Sequence, residues 1–174
     1  LIINQTLDLM KKRGPDYQDW CSFTNGDVRT YLLHSRLSII DLSERSNQPI
    51  SFKGNTLIFN GEIYNYIEIR NHLKRCGYTF NTDSDTEVLL KAYTEFGEDC
   101  VKFFNGMWAF ALWDKRSQQL LLSRDRIGEK PLHYAIWDNK IIFGSEIKAI
   151  LKYGVPKEYR LELLEIFCTF KSIP

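Results

Sequence analysis

Apolar residues stand at positions 2, 3, 7 and 10 of the opening segment, the spacing of one helix face, and Lys11 and Lys12 give that helix a basic last turn. Arg13-Gly14-Pro15-Asp16 stops it, because Gly and Pro interrupt a helix and start turns. Residues 29–33, continuing through Leu37 to Ile40, read as strand, and 41–49 as a polar loop. Thr56-Leu57-Ile58-Phe59 predicts a short strand ended by the turn dipeptide Asn60-Gly61. A helix follows over 64–76, closed by Gly77, and Ser84 or Asp85 caps another running through Val88, Leu89, Leu90 and Tyr93 to Phe96-Gly97. Four apolar runs, at 107–113, 119–123, 132–137 and 140–143, predict an antiparallel meander. A helix over 146–152 comes next. Beyond Gly154-Val155-Pro156, a last helical pattern over 160–170 fits a connector or a following domain. Strands this apolar on both faces need cover on both sides, so an α+β chain of two packed sheets with helices outside is expected.

Composition narrows the function. The chain has 174 residues, one domain's length, with 23 Lys and Arg against 22 Asp and Glu. A net charge of +1 argues against nucleic acid as the main partner. No apolar run is long enough to cross a membrane as a helix, and the N-terminus lacks the pattern of a signal peptide. Cys21, Cys76, Cys100 and Cys168 form no CxxC pair, which points to a reducing, cytoplasmic setting and inert thiols. His34, His72 and His133 show no metal-ligand spacing, and no phosphate-binding loop occurs, so neither a metal nor ATP is expected on this chain.

Three polar groups at the ends of apolar runs are the candidates for chemistry. Arg36 stands in a strand-like run and needs an anion, either a ligand carboxylate gripped by its planar fork or a partner such as Asp41. Asn60-Gly61-Glu62 is either a plain turn or a pair of donors, a side-chain amide and a backbone N–H, of the kind that stabilises an acyl-transfer oxyanion. Asp85 either caps a helix or holds an ammonium group.

Taken in order, Arg13-Gly14-Pro15-Asp16, RLSIID at 36–41, Gln48-Pro49, NGEIYN at 60–65, SDTEVLL at 84–90, FNGMWAFALWD at 104–114, SRDRIGEKPL at 123–132 and FGSEIKAI at 143–150 resemble the glutaminase domain of glutamine-hydrolysing asparagine synthetases. These are class II amidotransferases with an N-terminal nucleophile fold. The resemblance implies a four-layer αββα sandwich and L-glutamine as substrate. It implies that Arg36 binds the α-carboxylate and Asp85 the α-ammonium, with Glu62 shaping that end. The segment Leu37, Ser38, Ile39 and Ile40 would line the pocket, and Asn60 and Gly61 would form the oxyanion hole. It further implies a glutaminase domain over 1–152, and over 153–174 a connector and the start of a synthetase domain, where ATP and Mg²⁺ would serve amidation of aspartate. Other outcomes are an acceptor such as a sugar uronate, or a non-catalytic domain that binds glutamine or scaffolds. The family's nucleophile is a Cys at the mature N-terminus, whereas residue 1 here is Leu and Cys21 follows the RGPD motif. The nucleophile is therefore assigned to no residue of this chain. It is expected on a segment before Leu1, and the chain as given is expected not to turn over glutamine. A sheet edge exposed by that missing segment would favour association, including a homodimer.

Overall fold

The computed structural model describes residues 2–38, 41, 43–158 and 168–169. Helix α1 (Ile2–Met10) leads into the hairpin of β1 (Tyr17–Asn25) and β2 (Val28–Arg36). After a loop with a single 3₁₀ turn at Glu44–Ser46 come β3 (Ile50–Phe52) and β4 (Asn55–Ile63), then α2 (Tyr66–Arg75) and α3 (Asp85–Phe96). A 3₁₀ segment (Gly97–Lys102) precedes β5 (Gly106–Asp114) and β6 (Gln119–Arg124). The hairpin of β7 (His133–Trp137) and β8 (Lys140–Gly144) and the short α4 (Ile147–Leu151) follow.

The strands lie in two layers. One is the antiparallel sheet β3-β4-β5-β6, and the other holds the separate hairpins β1-β2 and β7-β8. Leu57, Phe59, Ile63, Phe110 and Leu112 on one face of the four-stranded sheet pack with Ile69 and Leu73 of α2 and Val88, Leu89 and Ala92 of α3. Ile58, Ala111, Trp113 and Leu122 on the other face meet Cys21, Phe23 and Leu32 of the first hairpin and Phe143 of the second. Helices α1 and α4 contact each other and cover the outer side of the hairpins. The order is thus αββα, the expected fold. It explains why β5 is apolar at nearly every position, since both its faces are covered.

Two expectations are corrected, and one strand went unread. Asn60-Gly61 is not a turn: β4 runs straight through to Ile63, with Asn60 opposite Ala109 and Gly61 opposite Trp108. The four apolar runs do not form one meander. Strand β6 closes the four-stranded sheet, and β7-β8 belongs to the other layer. Strand β1 went unread because its burial is irregular and mostly exposed, so it carries little period-2 signal. The helix expected over 160–170 falls almost wholly outside the described residues, as do Ile39 and Ile40.

Candidate functional site

Alternation along β2 puts Leu32, His34 and Arg36 on one face, and Leu32 lies in the cluster between the layers. Arg36 is buried at 7% exposure. Its Nη1 donates to the Ser43 carbonyl (3.0 Å) and to Asn47 Oδ1 (2.7 Å), and its Nη2 to the Asp41 carbonyl. The partner on Asp41 is thus the backbone, not the carboxylate. Arg36 clasps the 41–47 loop with part of its five-donor fork. The preceding RGPD motif holds the same residue from behind. Asp16 N–H donates to the Arg36 carbonyl (3.1 Å), and Ser38 N–H donates to Asp16 Oδ2 (2.7 Å). Gly14 lies so close that a Cβ there would sit 2.2 Å from the Ser35 carbonyl oxygen. The motif that reads as a helix stop therefore also fixes the Arg36 backbone. Leu37, just beyond, is exposed.

Strand β4 supplies the second element. Leu57 is the last residue paired with β3, opposite Ile50, so the edge beyond it has no neighbouring strand. Two side chains serve that edge instead. Phe59 N–H donates to Gln48 Oε1 (2.6 Å), and the Phe59 carbonyl accepts from His34 Nε2 (3.2 Å). In an antiparallel strand the N–H and C=O of one residue point to the same side, and the side alternates along the chain. Phe59, Gly61 and Ile63 consequently face the open edge. The Ile63 N–H donates to Asp85 Oδ2 (3.0 Å), which places the Gly61 N–H between two pinned neighbours. Only glycine fits there: a Cβ would lie 2.3 Å from the Met107 carbonyl oxygen and 2.7 Å from the Phe59 ring. The alternate residues, Asn60 and Glu62, share the face of Ile58 and are half-buried between the layers.

The third element is the start of α3. Ser84 caps the helix, its hydroxyl accepting from Glu87 N–H at 3.2 Å, so the cap is Ser84 and not Asp85. Asp85 is 4% exposed and, among the described residues, makes no ion pair. Burial raises its carboxyl above the usual range, backbone hydrogen bonds from Ile63 and Thr86 oppose this, and the nearby Glu62 charge adds to the rise.

The three elements are tied together. Asp83 N–H donates to Asp41 Oδ2 (3.0 Å), joining the loop held by Arg36 to the approach to Asp85. Gln48 reaches Thr86 Oγ1 with its amide (3.5 Å) while accepting from Phe59. Behind α3, the Glu87 carboxylate accepts from Asn81 N–H, Thr82 N–H (2.8 Å) and Thr82 Oγ1 (2.7 Å) and pairs with Lys91 at 2.5 Å. The Lys91 ammonium also stacks on Phe80 and Phe52. Arg70 donates to the Thr82 and Ser84 carbonyls (2.9 and 3.1 Å). Sequence reasoning missed Gln48, Glu87, Lys91 and Arg70 as supports. The one signal present was Glu87 three residues after a Ser cap.

Neither Cys21 nor Cys100 has an activated setting. Cys21 packs between the layers, where burial pushes its thiol up to about 11, and burial in the core pushes Cys100 up to about 12. A cleft of about 450 Å³ lined by Leu122, Arg124, Leu132, Tyr134, Ile136 and Ile141 contains none of the candidate residues.

The sequence profile of the glutamine amidotransferase domain matches residues 1–174. The chain belongs to the glutamine amidotransferase domain family. Asparagine synthetase [glutamine-hydrolyzing] 1 of Bacillus subtilis is 40% identical over 175 residues, which cover 99% of this chain and 27% of that protein. Putative asparagine synthetase [glutamine-hydrolyzing] 2 of Methanocaldococcus jannaschii is 40% identical over 166 residues, 86% of this chain and 32% of that one. Amidase chry2 of Gibberella zeae is 37% identical over 159 residues, 90% and 23%. This chain thus spans about a quarter to a third of the length of these relatives. Glutamine PRPP amidotransferase from B. subtilis has the same fold, with a TM-score of 0.70 at 20% identity over 88% of this chain and 40% of that one.

Proposed function

We infer that the domain binds L-glutamine and directs hydrolysis of its side-chain amide, the ammonia serving to amidate a carboxylate, with aspartate as the acceptor. The observation that carries this reading is Asp85: a buried carboxylate with no ion pair among the described residues, bonded to the strand edge that presents the Gly61 N–H. A free amino acid offers the missing ammonium. With the ammonium at Asp85 and the α-carboxylate at the uncommitted donors of Arg36, the side chain extends toward Asn60 and Gly61. There an amide and an N–H suit the charge of a tetrahedral intermediate. Leu37 and Ser38 stand beside Arg36 and would border the pocket. The acceptor would be activated with ATP and Mg²⁺ in a separate synthetase domain. That one relative is named an amidase and not an asparagine synthetase supports a second reading, in which the same glutamine site serves a different acceptor.

Calorimetric titration of the domain with glutamine tests the binding half. Asp85→Asn should abolish detectable heat while the melting profile is retained. Equal affinity of wild type and variant would refute the assignment. Glutamate release by the full-length protein, with and without aspartate and ATP, tests the reaction and its acceptor.

A further inference from the structure

His34 lies between the layers, and its ring makes one hydrogen bond that no expectation from sequence used. The Phe59 carbonyl can only accept, so Nε2 carries the proton, and Nδ1 is left buried without a partner. A plain filler at this position would be apolar, as Leu32 is two residues earlier on the same face. The ring instead leaves a polar atom unsatisfied while it grips one particular carbonyl. That carbonyl belongs to the peptide linking Phe59 to Asn60, and the N–H of the same Phe59 is held by Gln48. Both polar groups of one residue on an unpaired edge are thereby fixed by side chains from two other elements. Gly61 is the next residue on that edge.

We propose that His34 is a positioning residue for glutamine hydrolysis, its Nε2–H fixing the Phe59 carbonyl so that the Gly61 N–H and the Asn60 amide stand at the angle the oxyanion requires. The proposal rests on the glutaminase reading above. The imidazole touches neither substrate nor reacting atoms; it acts through the strand. The geometry of oxyanion donors matters most when charge develops, so its loss falls on turnover and leaves binding at Arg36 and Asp85 in place.

The test uses the full-length protein and two variants, His34→Leu, which removes the donor at similar volume, and His34→Gln, whose side-chain amide restores a donor. His34→Leu should lower kcat for glutamate release roughly 10–100-fold, the scale of a small misplacement at a reacting centre. KM for glutamine and synthesis from ammonia should hold within about twofold, well under the tenfold that ~1.4 kcal/mol of lost binding produces. His34→Gln should recover most of kcat. If His34→Leu fails to fold, His34→Asn replaces it, too short to reach the carbonyl and with the same expected loss. Unchanged kcat in the donor-less variant, equal impairment of the donor-bearing one, or a loss confined to KM would overturn the proposal alone. A wild-type protein that releases no glutamate from glutamine would overturn the glutaminase reading and this proposal with it.

Discussion

His34 also makes the stability of the fold depend on pH in a way that can be worked out in advance. Burial of the ring, partly offset by the Phe59 carbonyl and reinforced by the nearby Arg36 charge, brings its pKa down from 6.5 to about 4. Asp19, opposite it on β1, is exposed to solvent. Above pH 6.5 the ring is neutral in both states and contributes no pH dependence. Between 6.5 and about 4 the unfolded chain takes up a proton that the folded chain refuses, so stability falls as the solution is acidified. At ~1.4 kcal/mol per pH unit, the cost between pH 7 and pH 4.5 is about 2–3 kcal/mol. Asp85 works in the opposite direction, because its raised pKa lets the folded state take a proton first. That contribution is common to both proteins when wild type is compared with His34→Gln. Urea unfolding followed by tryptophan fluorescence at the two pH values gives the quantity directly. Wild type should lose about 2–3 kcal/mol more than the variant on acidification. Parallel losses would show that the ring accepts a proton in the folded state and would refute the burial argument.

Asn60→Ala in the full-length protein should lower glutamine turnover ~10²–10³-fold with binding retained, the effect of losing one oxyanion donor; a burst-free kcat near wild type would exclude that role. Arg36→Ala should weaken glutamine use while synthesis from ammonia persists, and equal loss of both in paired assays would contradict it. The clasp of the 41–47 loop makes some destabilisation of this variant certain, so a melting curve belongs beside the assay. Lys91→Met should cost about 3–5 kcal/mol, because it strands Glu87 as a buried charge, and Glu87→Gln in the same chain should restore part of that loss. Denaturant midpoints of the two single variants and the double variant measure it, and strict additivity would show that the pair does not interact.

Much of the layer order was legible because strands bury residues with period 2 and helices with period 3.6. The run from Met107 to Trp113 announced a strand covered on both faces, and Val88, Leu89, Leu90 and Tyr93 announced a helix. Arg36, Asn60, Gly61 and Asp85 stood out as candidates for chemistry at the ends of such runs, and the structure links their elements through Asp41, Asp83 and Gln48. What stayed hidden was long-range. Nothing local distinguishes an Asn-Gly turn from an Asn-Gly in mid-strand, since the decision is made by β5, whose residues 106–109 pair with 60–63. Nor does local sequence reveal that Gln48 reaches Phe59 or that Lys91 is wrapped by Phe52 and Phe80. Those contacts exist only after the layers close.

The length of β3 is where fold and site meet. Its register sets Ile50 opposite Leu57, so a longer strand would continue with residue 48 opposite Phe59 and residue 46 opposite Gly61. Such a strand would take the Gly61 N–H into its own ladder and leave nothing for a ligand. The chain instead leaves the ladder at Pro49, whose ring holds φ near −65°, outside the usual strand range. Gln48 then substitutes its side-chain carbonyl for the backbone acceptor the lost strand would have provided, and His34 substitutes for the donor. Phe59 is satisfied at both polar groups, Ile63 is satisfied by Asp85, and the residue between them keeps its donor. An edge strand is ordinarily a liability because it offers unpaired groups to any passing chain. Here side chains pin that edge on either side of Gly61, whose N–H stands between the Phe59 and Ile63 contacts.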